Sequence, residues 1–225
     1  MLELALKSLC SYLLGSLIGA LVVGRLRGGV DIRTMGSGNA GGTNALRTQG
    51  AQFAAWVMLI DIGKGILAVL AIAQVDLTGV LPPVELLEFP AAQSWLQVTC
   101  GAAVVVGHVY PLWFEFRGGK GAATLLGVLV AILPSAVIPV LLVWACVLVA
   151  TGYVGLATML ATLSFPLYVG FVRRLSLDPE LLRVLLTFGI AMGCFVCFTH
   201  RSNIVRMWRG TESRFERVWL LRSRG

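Results

Sequence analysis

Long apolar runs alternate with short polar segments along the whole chain. A helix needs about 20 mostly apolar residues to cross a bilayer, and most of these runs approach that length. The predicted spans are Leu4–Val23, Ala51–Ala73, Gln93–Val106, Ala122–Leu133, Ser135–Ala150, Tyr153–Val172 and Leu181–Thr199. The pattern predicts an all-α integral membrane protein with about seven transmembrane helices, in a single polytopic domain covering residues 1–225. Five spans are expected instead if Ala122–Ala150 and one neighbouring run are re-entrant.

The overall composition excludes a soluble globule and a disordered chain. Hydrophobic residues make up 57% of the sequence and charged residues 13%, whereas soluble domains carry about 25% charged residues. Disorder requires a low hydrophobicity, which this chain does not have. The first residues lack the basic stretch that opens a cleaved signal peptide, so the first apolar run is expected to stay as a span.

Basic residues are concentrated in a few of the polar segments. The net charge is +7, and seven of the 18 Lys and Arg residues lie in the last 25 positions, with four more between Gly24 and Gly50. Cytoplasmic loops carry such an excess, so seven spans place the N-terminus outside and the C-terminus in the cytoplasm. Arg173 and Arg174 do not fit this scheme, because it places them outside. Nucleic-acid binding is disfavoured, because apolar spans separate the basic clusters.

Five cysteines lie in apolar runs, and two of them, Cys194 and Cys197, form a CxxC pair. Such a pair is compatible with redox or metal chemistry, but no second pair completes a zinc site. Buried thiols that pack as small hydrophobic side chains are the preferred interpretation.

The first polar segment, residues 36–47, combines closely spaced glycines with hydrogen-bond donors. Its polar members are Ser37, Asn39, Thr43, Asn44 and Arg47. Glycines allow successive backbone N–H groups to converge on one point, and such concavities bind anions. A guanidinium adds a planar fork that suits phosphate. The alternative is a flexible connector, which does not require this set of polar side chains, so the segment predicts an anion site.

The second polar segment, residues 107–121, ends in Gly118, Gly119, Lys120 and Gly121 and opens a new apolar run. A glycine-rich turn at a helix N-terminus is a natural phosphate site, because the unpaired N–H groups and the helix dipole both favour negative charge. The spacing is not that of a Walker A loop. His108, near the start of the segment, is by itself expected to be a hydrogen-bonded structural histidine.

The third polar segment, residues 200–212, follows the last predicted span. His200 and Asn203 would share one helix face if that span continued, and both could then address one ligand. The alternative for Arg201 and Arg206 is that they anchor the topology of the span.

Asp61 and Lys64 stand three residues apart inside a predicted span. Ionisable groups at membrane depth are costly and either pair or serve a function. Mutual pairing is a sufficient explanation for both residues, and a role for Lys64 near the site is the alternative.

Taken together, the three segments resemble the bacterial membrane acyltransferases of the PlsY type. The resemblance rests on GSGNAGGTNALR at 36–47, GHVYPLWFEFRGGKGAAT at 107–124 and HRSNIVRMWRGTE at 200–212. It implies a seven-helix fold in the bacterial inner membrane, with the site facing the cytoplasm. It also implies transfer of a fatty acyl group from acyl phosphate to the 1-hydroxyl of sn-glycerol 3-phosphate, the first step of phospholipid synthesis. The products would be lysophosphatidic acid and phosphate, without a covalent enzyme intermediate and without a metal or organic cofactor.

The resemblance also assigns roles to residues. Ser37, with its neighbours, would hold the acyl phosphate head group, while Arg47 and Lys120 would neutralise phosphate. His200 and Asn203 would orient glycerol 3-phosphate. The implied catalytic residues are Ser37, Arg47, Lys120, His200 and Asn203. The implied substrate-binding residues are Gly36, Gly38, Asn39, Gly42, Thr43, Asn44, Lys64, His108, Gly118, Gly119, Gly121, Thr158 and Glu212. For Glu212, which matches an acid of the family, a purely structural role is the alternative.

The general base has two candidates, His200 and the phosphate of the donor itself. The donor phosphate is favoured, because neither His108 nor His200 has a carboxylate orienter visible in the sequence. The expected partners are acyl phosphate, glycerol 3-phosphate and membrane lipid, with no nucleic acid, and an enzyme that produces acyl phosphate is a candidate partner. Two other classes stay open as alternatives: a transporter of phosphate compounds and a non-enzymatic anchor whose Arg-rich tail holds anionic lipid.

Overall fold

The computed structural model describes residues 2–77, 92–216 and Trp219, and within these ranges it contains helices and no strands. Five of its helices are long and apolar enough to cross a membrane: Ala51–Gln74, Ala92–Phe114, Pro134–Thr151, Val154–Arg173 and Pro179–Thr199. A bent pair, Leu2–Gly15 with Gly19–Leu26, adds a sixth if it counts as one span, and Ala122–Ile132 is a shorter apolar helix. The predicted all-α class is therefore confirmed. Pro82 and Pro83, which the sequence places in an outer loop between the second and third predicted spans, lie outside the described residues.

The chain forms two compact units, Met1–Pro134 and Ser135–Gly225. The helices of the first unit are α1 (Leu2–Gly15), α2 (Gly19–Leu26), α3 (Gly42–Gln49), α4 (Ala51–Leu70), α5 (Ala92–Val109) and α6 (Ala122–Ile132), with short 3-10 turns at Ile32–Thr34, Ile72–Gln74 and Leu112–Phe114. The helices of the second unit are α7 (Val137–Thr151), α8 (Val154–Tyr168), which a π-helical turn extends through Val169–Arg173, α9 (Pro179–Thr199) and α10 (Arg201–Trp208).

Glycines set the closest helix contacts of the first unit. A Cβ on Gly15 would run into the backbone carbonyl of Val104, so α1 and α5 approach through their backbones. A Cβ on Gly65 would likewise strike the carbonyl of Thr124, at the contact of α4 with α6. Lipid-embedded helices associate through small residues of this kind, because apolar side chains alone gain little over lipid. The position of α6, and of the loop that precedes it, follows from this packing.

The first predicted span, Leu4–Val23, is broken into α1 and α2, which meet at 45°. Three of the backbone groups at the break bond to side chains of α4. Lys64 Nζ donates to the carbonyls of Gly15 and Leu17, both at 2.9 Å. The N–H of Gly19, the first residue of α2, donates to Asp61 Oδ1 at 3.1 Å. A cation therefore caps the end of α1 and a carboxylate caps the start of α2, each on the side that the helix dipole favours.

Asp61 and Lys64 also pair with each other, as the sequence predicted. The Nζ···Oδ1 distance is 3.0 Å, and the two side chains are 3% and 1% exposed for Lys64 and Asp61, respectively. The pair lies on α4, one turn of helix apart, and it joins α4 to the broken helix beside it. Sequence spacing predicts the pair but not the two helix ends that it caps.

The last predicted span, Leu181–Thr199, ends where α9 ends, and a further short helix follows it. Residues from Arg201 onward were expected to form a basic tail, but Arg201–Trp208 is helical. Gly152, in the left-handed conformation at φ 74°, ends α7 and allows the sharp turn into α8. Asp178 caps α9 by accepting from the N–H groups of Glu180 and Leu181.

We expect Lys64→Met to lower the free energy of unfolding by roughly 3–5 kcal/mol, because it leaves the buried Asp61 carboxylate without its cation and the carbonyls of Gly15 and Leu17 without their donor. Thermal or denaturant unfolding of the detergent-solubilised protein measures this loss. The matched control is Arg183→Met, since Arg183 and Glu180 form a pair of the same spacing in which Arg183 is 68% exposed, and such a pair contributes about 0.5 kcal/mol or less. Equal losses in the two variants would contradict the capping role.

Candidate active site

Asn44 organises the first glycine-rich segment from inside. Its side chain is 1% exposed. Its Nδ2 donates to the carbonyls of Ile32 and Met35 at 2.9 and 3.0 Å, and its Oδ1 accepts from the N–H of Ser37 at 2.9 Å. These three bonds fix the turn in which Gly36 and Gly38 take positive φ values of 55° and 71°. Asn44 therefore shapes the loop, while Ser37 lies exposed at its tip.

The same segment ends in the start of α3. Gly41 is the N-cap and provides no side-chain cap, and Gly42 and Thr43 form the first positions of the helix. The first N–H groups of a helix have no carbonyl partner within it, and they carry the positive end of the helix dipole. Arg47, exposed, lies on the same helix. The predicted residues Thr43 and Arg47 thus lie on one short helix whose N-terminus has glycines in place of a capping side chain.

The second glycine-rich segment turns back onto the end of α5. The N–H groups of Gly118 and Gly119 donate to the carbonyls of Val109 and His108, both at 3.1 Å. Gly121, at φ 88°, is the N-cap of α6. The prediction that this segment opens a helix is confirmed. Lys120 lies between two fixed points, the backbone pairing at Gly119 and the helix start at Gly121.

The reversal before these glycines uses two residues with left-handed backbone conformations. Glu115 and Phe116 have φ values of 59° and 57°, a region in which residues with a Cβ are uncommon. The N–H groups of Phe116 and Arg117 bond to the carbonyls of Pro111 and Phe114 at 3.0 Å each. These bonds hold the unusual conformation in place, and strain of this kind often marks a functional loop.

Arg33 joins the two glycine-rich segments, a role that sequence reasoning missed. Its Nε and Nη2 bind the carboxylate of Asp31 at 2.8–3.1 Å. Its Nη1 donates to the carbonyls of Phe114 and Arg117, both at 3.2 Å. One guanidinium therefore ties the loop before α3 to the loop before α6. The short Asp-x-Arg spacing was the only signal in the sequence, and it did not reveal the partner loop.

The contribution of the Asp31–Arg33 ion pair to stability depends on pH. The hydrogen bonds from Arg33 hold the pKa of the Asp31 carboxyl below its ordinary value of 3.8, and the same bonds raise the pKa of Arg33. The contribution of the pair is therefore complete above about pH 4, and it is lost as the pH falls through the lowered pKa of Asp31. The link between the loops is thus intact at neutral pH.

Lys64 and His108 lie beneath the second segment. Lys64 Nζ is 2.8 Å from His108 Nδ1, and both side chains are 3% exposed. The same Nδ1 atom lies 3.3 Å from Asp61 Oδ1, so His108 has a buried carboxylate beside its ring that the sequence did not reveal. A Cβ on Gly119 would run into the Nε2 atom of His108. Both residues therefore support the glycine loop from below, with Asp61 beside them.

The third segment belongs to the second unit. His200 is not part of a continuous helix but is the residue between α9 and α10. Its Nδ1 lies 2.8 Å from the carbonyl of Val196, which fixes the hydrogen on Nδ1 and makes Nε2 the acceptor of the neutral ring. Asn203 Nδ2 donates to Glu212 Oε1 at 2.7 Å, and Arg206 Nε donates to Glu212 Oε2 at 2.6 Å. Glu212 therefore orients the Asn203 amide.

A C-terminal clasp, formed by Glu212, Arg214, Phe215 and Trp219, lies over the turn between α7 and α8. The carbon of the Arg214 guanidinium lies 4.6 Å from the ring centre of Tyr153 and 4.1 Å from that of Trp219. Sequence reasoning treated this stretch as a basic tail and gave Arg214 and Trp219 no role.

Thr158 and the five cysteines are the remaining residues that the sequence analysis singled out. Thr158 is buried, where its Oγ1 donates to the Val154 carbonyl at 2.9 Å and accepts from Trp144 Nε1 at 3.3 Å. All five cysteines are free thiols. Within the described ranges, no group of three or more His, Cys, Asp or Glu side chains is placed to hold a metal ion.

Comparisons with known proteins agree on one family. A family model described as glycerol-3-phosphate acyltransferase matches residues 5–210. A protein named glycerol-3-phosphate acyltransferase from Salinibacter ruber is 38% identical over 95% of this chain and 93% of its own length. Another of the same name from Azotobacter vinelandii is 41% identical over 93% of this chain and 98% of its own length.

Solved structures lead to the same group. The crystal structure of PlsY (YgiH), an integral membrane glycerol 3-phosphate acyltransferase, in its glycerol 3-phosphate form, is similar with a TM-score of 0.76. That similarity has 34% identity and covers 94% of this chain and 95% of the other. The lysophosphatidic acid form of PlsY gives a TM-score of 0.75 at 33% identity.

We expect Gly119→Ala to lower the unfolding temperature of the protein and to speed hydrogen exchange at the loop amides, because the new methyl group must displace the His108 ring. Gly63→Ala is the matched control, since a Cβ there meets no atom within 4 Å and alanine favours the helix by about 0.5–1 kcal/mol. A Gly119→Ala protein as stable as the Gly63→Ala protein would contradict the contact with His108.

Proposed function

Because the chain belongs to the glycerol-3-phosphate acyltransferase family of the PlsY type, we propose that it acylates glycerol 3-phosphate. The donor is acyl phosphate, the acceptor group is the 1-hydroxyl, and the products are lysophosphatidic acid and phosphate. The reaction is the first step of phospholipid synthesis. No metal or organic cofactor takes part.

The observation that carries this proposal is the pairing of two glycine-rich loops through Arg33. Both substrates carry phosphate, so the enzyme must bind two anions in the same reaction. Each loop leads into a helix N-terminus, at α3 and at α6, and such ends bind phosphate through N–H groups and the helix dipole. Arg47 and Lys120 add one positive charge to each loop.

We assign the head group of acyl phosphate to the first loop. Ser37, Asn39 and Thr43 provide side-chain donors, and the glycines Gly36, Gly38 and Gly42 leave the backbone N–H groups accessible. Arg47 neutralises the phosphate charge. Asn44 acts through the loop, since its amide already binds the backbone at three points.

The second loop is assigned to glycerol 3-phosphate. Lys120 neutralises its phosphate, and Gly118, Gly119 and Gly121 allow the backbone to come close to the anion. Lys64 and His108 hold this loop from below.

Residues of the second unit address the acceptor. His200 and Asn203 orient glycerol 3-phosphate, and Glu212 orients Asn203. Thr158 Oγ1, which donates to the Val154 carbonyl, accepts a hydrogen bond from the substrate.

The chemistry needs no covalent enzyme intermediate, because a mixed anhydride is already activated. The 1-hydroxyl oxygen attacks the acyl carbon, the bond from that carbon to the phosphate oxygen breaks, and the hydroxyl proton passes to the departing phosphate. Holding donor and acceptor together supplies much of the rate. Backbone N–H groups, Lys120 and Arg47 stabilise the negative charge that develops on the carbonyl and on the phosphate.

His200 is the alternative acceptor of that proton. Its Nδ1–H is directed to the Val196 carbonyl and not to a carboxylate, so no carboxylate raises the basicity of Nε2 through that bond. We therefore assign the proton to the donor phosphate and assign His200 to substrate orientation.

We place the enzyme in the inner membrane of a bacterium, with seven spans and its site on the cytoplasmic face. The bacterial relatives and the apolar helices support a membrane location. The glycine-rich loops and the C-terminal segment carry most of the basic residues, which favours the cytoplasmic side for all three. The N-terminus then lies outside, and membrane lipid surrounds the spans.

Purified protein should release phosphate from palmitoyl phosphate only when glycerol 3-phosphate is present. Lys120→Ala should lower that rate at least about 100-fold, as expected for loss of a charge that stabilises the transition state. Arg25→Ala is the control, because it removes an exposed charge of the same unit outside both loops, and it should keep full activity.

Palmitoyl coenzyme A in place of palmitoyl phosphate tests the donor and should give no product. Folded wild-type protein that releases no phosphate with acyl phosphates of several chain lengths would contradict the proposal and favour a transporter.

For His200→Gln we expect the KM for glycerol 3-phosphate to rise about tenfold while kcat changes less than about threefold, since the residue is assigned to binding in the ground state as well as the transition state. Steady-state kinetics with each substrate varied in turn measures both constants. A collapse of kcat with an unchanged KM would instead identify His200 as the base.

A further inference from the structure

The C-terminal clasp is attached at one end to the turn between α7 and α8. The N–H of Phe215 donates to the carbonyl of Gly152 at 2.8 Å, and Trp219 Nε1 donates to the carbonyl of Ala150 at 3.0 Å. The last carbonyls of a helix have no partner within it. The clasp therefore supplies donors that the end of α7 needs.

The guanidinium of Arg214 strengthens this attachment. It lies between the rings of Tyr153 and Trp219, with its central carbon 4.6 and 4.1 Å from the ring centres. A cation within about 6 Å of an aromatic ring centre is attracted by the ring. Arg214 thus connects the start of α8 to the end of the clasp.

At its other end the clasp is attached to α10. Gly210, at φ 69°, ends the helix, and the N–H of Thr211 donates to the carbonyl of Arg206 at 2.8 Å. The next residue is Glu212, whose side chain is 7% exposed and whose two oxygens accept from Asn203 and Arg206. The carboxylate therefore lies between two attachment points, with one residue separating it from Arg214.

We propose that the clasp positions the Asn203 amide through Glu212, which makes Arg214 and Trp219 positioning residues for the acceptor substrate. This inference rests on the proposed function, because it requires Asn203 to orient glycerol 3-phosphate. Without the attachment at Arg214, the backbone around Glu212 regains conformational freedom. The Asn203 amide then spends less time in the geometry that binds the substrate, and precise placement is what such residues contribute.

A clasp that only stabilised the fold would lower the amount of active enzyme, and with it the apparent kcat, without changing the KM of either substrate. A clasp that positions Asn203 affects the acceptor alone. Measuring the KM for each substrate separately therefore distinguishes a positioning role from a stabilising one.

The first experiment compares Arg214→Ala with Arg209→Ala, which removes another exposed positive charge of the same region. Arg214→Ala should raise the KM for glycerol 3-phosphate about fivefold, the change expected from the loss of two cation–π contacts. The KM for palmitoyl phosphate should stay unchanged, and Arg209→Ala should behave as wild type. Arg214→Lys should restore most of the affinity, because an ammonium also binds between two rings. An unchanged KM for glycerol 3-phosphate, or an equal rise for both substrates, would overturn the proposal.

The second experiment is a double-variant cycle. If Arg214 acts through Glu212, the variant with both Glu212→Ala and Arg214→Ala should have the same KM for glycerol 3-phosphate as Glu212→Ala alone, because alanine removes the acceptor of the Asn203 amide. Effects that multiply would show two independent actions and would overturn the positioning role.

A third measurement does not depend on turnover. Hydrogen exchange of the α10 amides should be faster in Arg214→Ala than in wild type and unchanged in Arg209→Ala. Unchanged exchange in Arg214→Ala would overturn the clasp. If wild-type protein exchanged as expected but showed no acyl transfer, the proposed function would fail while the clasp itself stood.

Discussion

The buried ion pair of Asp61 and Lys64 makes the broken first span possible. A helix that breaks within an apolar environment leaves carbonyls and N–H groups without partners, and each such group costs several kcal/mol in lipid. Lys64 binds the last carbonyl of α1 and that of Leu17 in the break, and Asp61 binds the first N–H of α2. The ion pair therefore offsets part of the free-energy cost of the break, and the backbone groups at the break are hydrogen-bond partners for its two charged side chains.

The consequences of this pair extend to the glycine loop of the candidate site. Lys64 Nζ and Asp61 Oδ1 lie 2.8 and 3.3 Å from His108 Nδ1, and His108 lies against Gly119. The close packing of α4 against α6 at Gly65 places the start of α6 at the end of that loop. Lys120 is thus positioned by contacts below its backbone and by the helix that follows it.

Many of the polar side chains of the site act on backbone and on other side chains. Asn44 shapes the first loop, Arg33 joins the first loop to the second, and Glu212 orients Asn203. Side chains that hold the loops and backbone groups that face the ligand suit a site for two phosphate compounds. Backbone N–H groups at helix starts can bind anions once the loops are held rigidly. Side chains that hold loops are then as necessary as those that contact substrate.

The sequence by itself determined the membrane class, the start of α6 and the three polar segments. An apolar run of span length is stable as a helix in lipid, and an isolated charge within such a run needs a partner. For these reasons Ala122 was correctly predicted to begin a helix and Asp61 to pair with Lys64. Only the tertiary structure decided the 45° break near Gly15, the bridge from Arg33 to Phe114 and the clasp at Arg214. Each of these depends on a contact between residues far apart in sequence, often with a backbone carbonyl. Every residue carries a backbone carbonyl, so the sequence does not indicate which carbonyl a given side chain will bind.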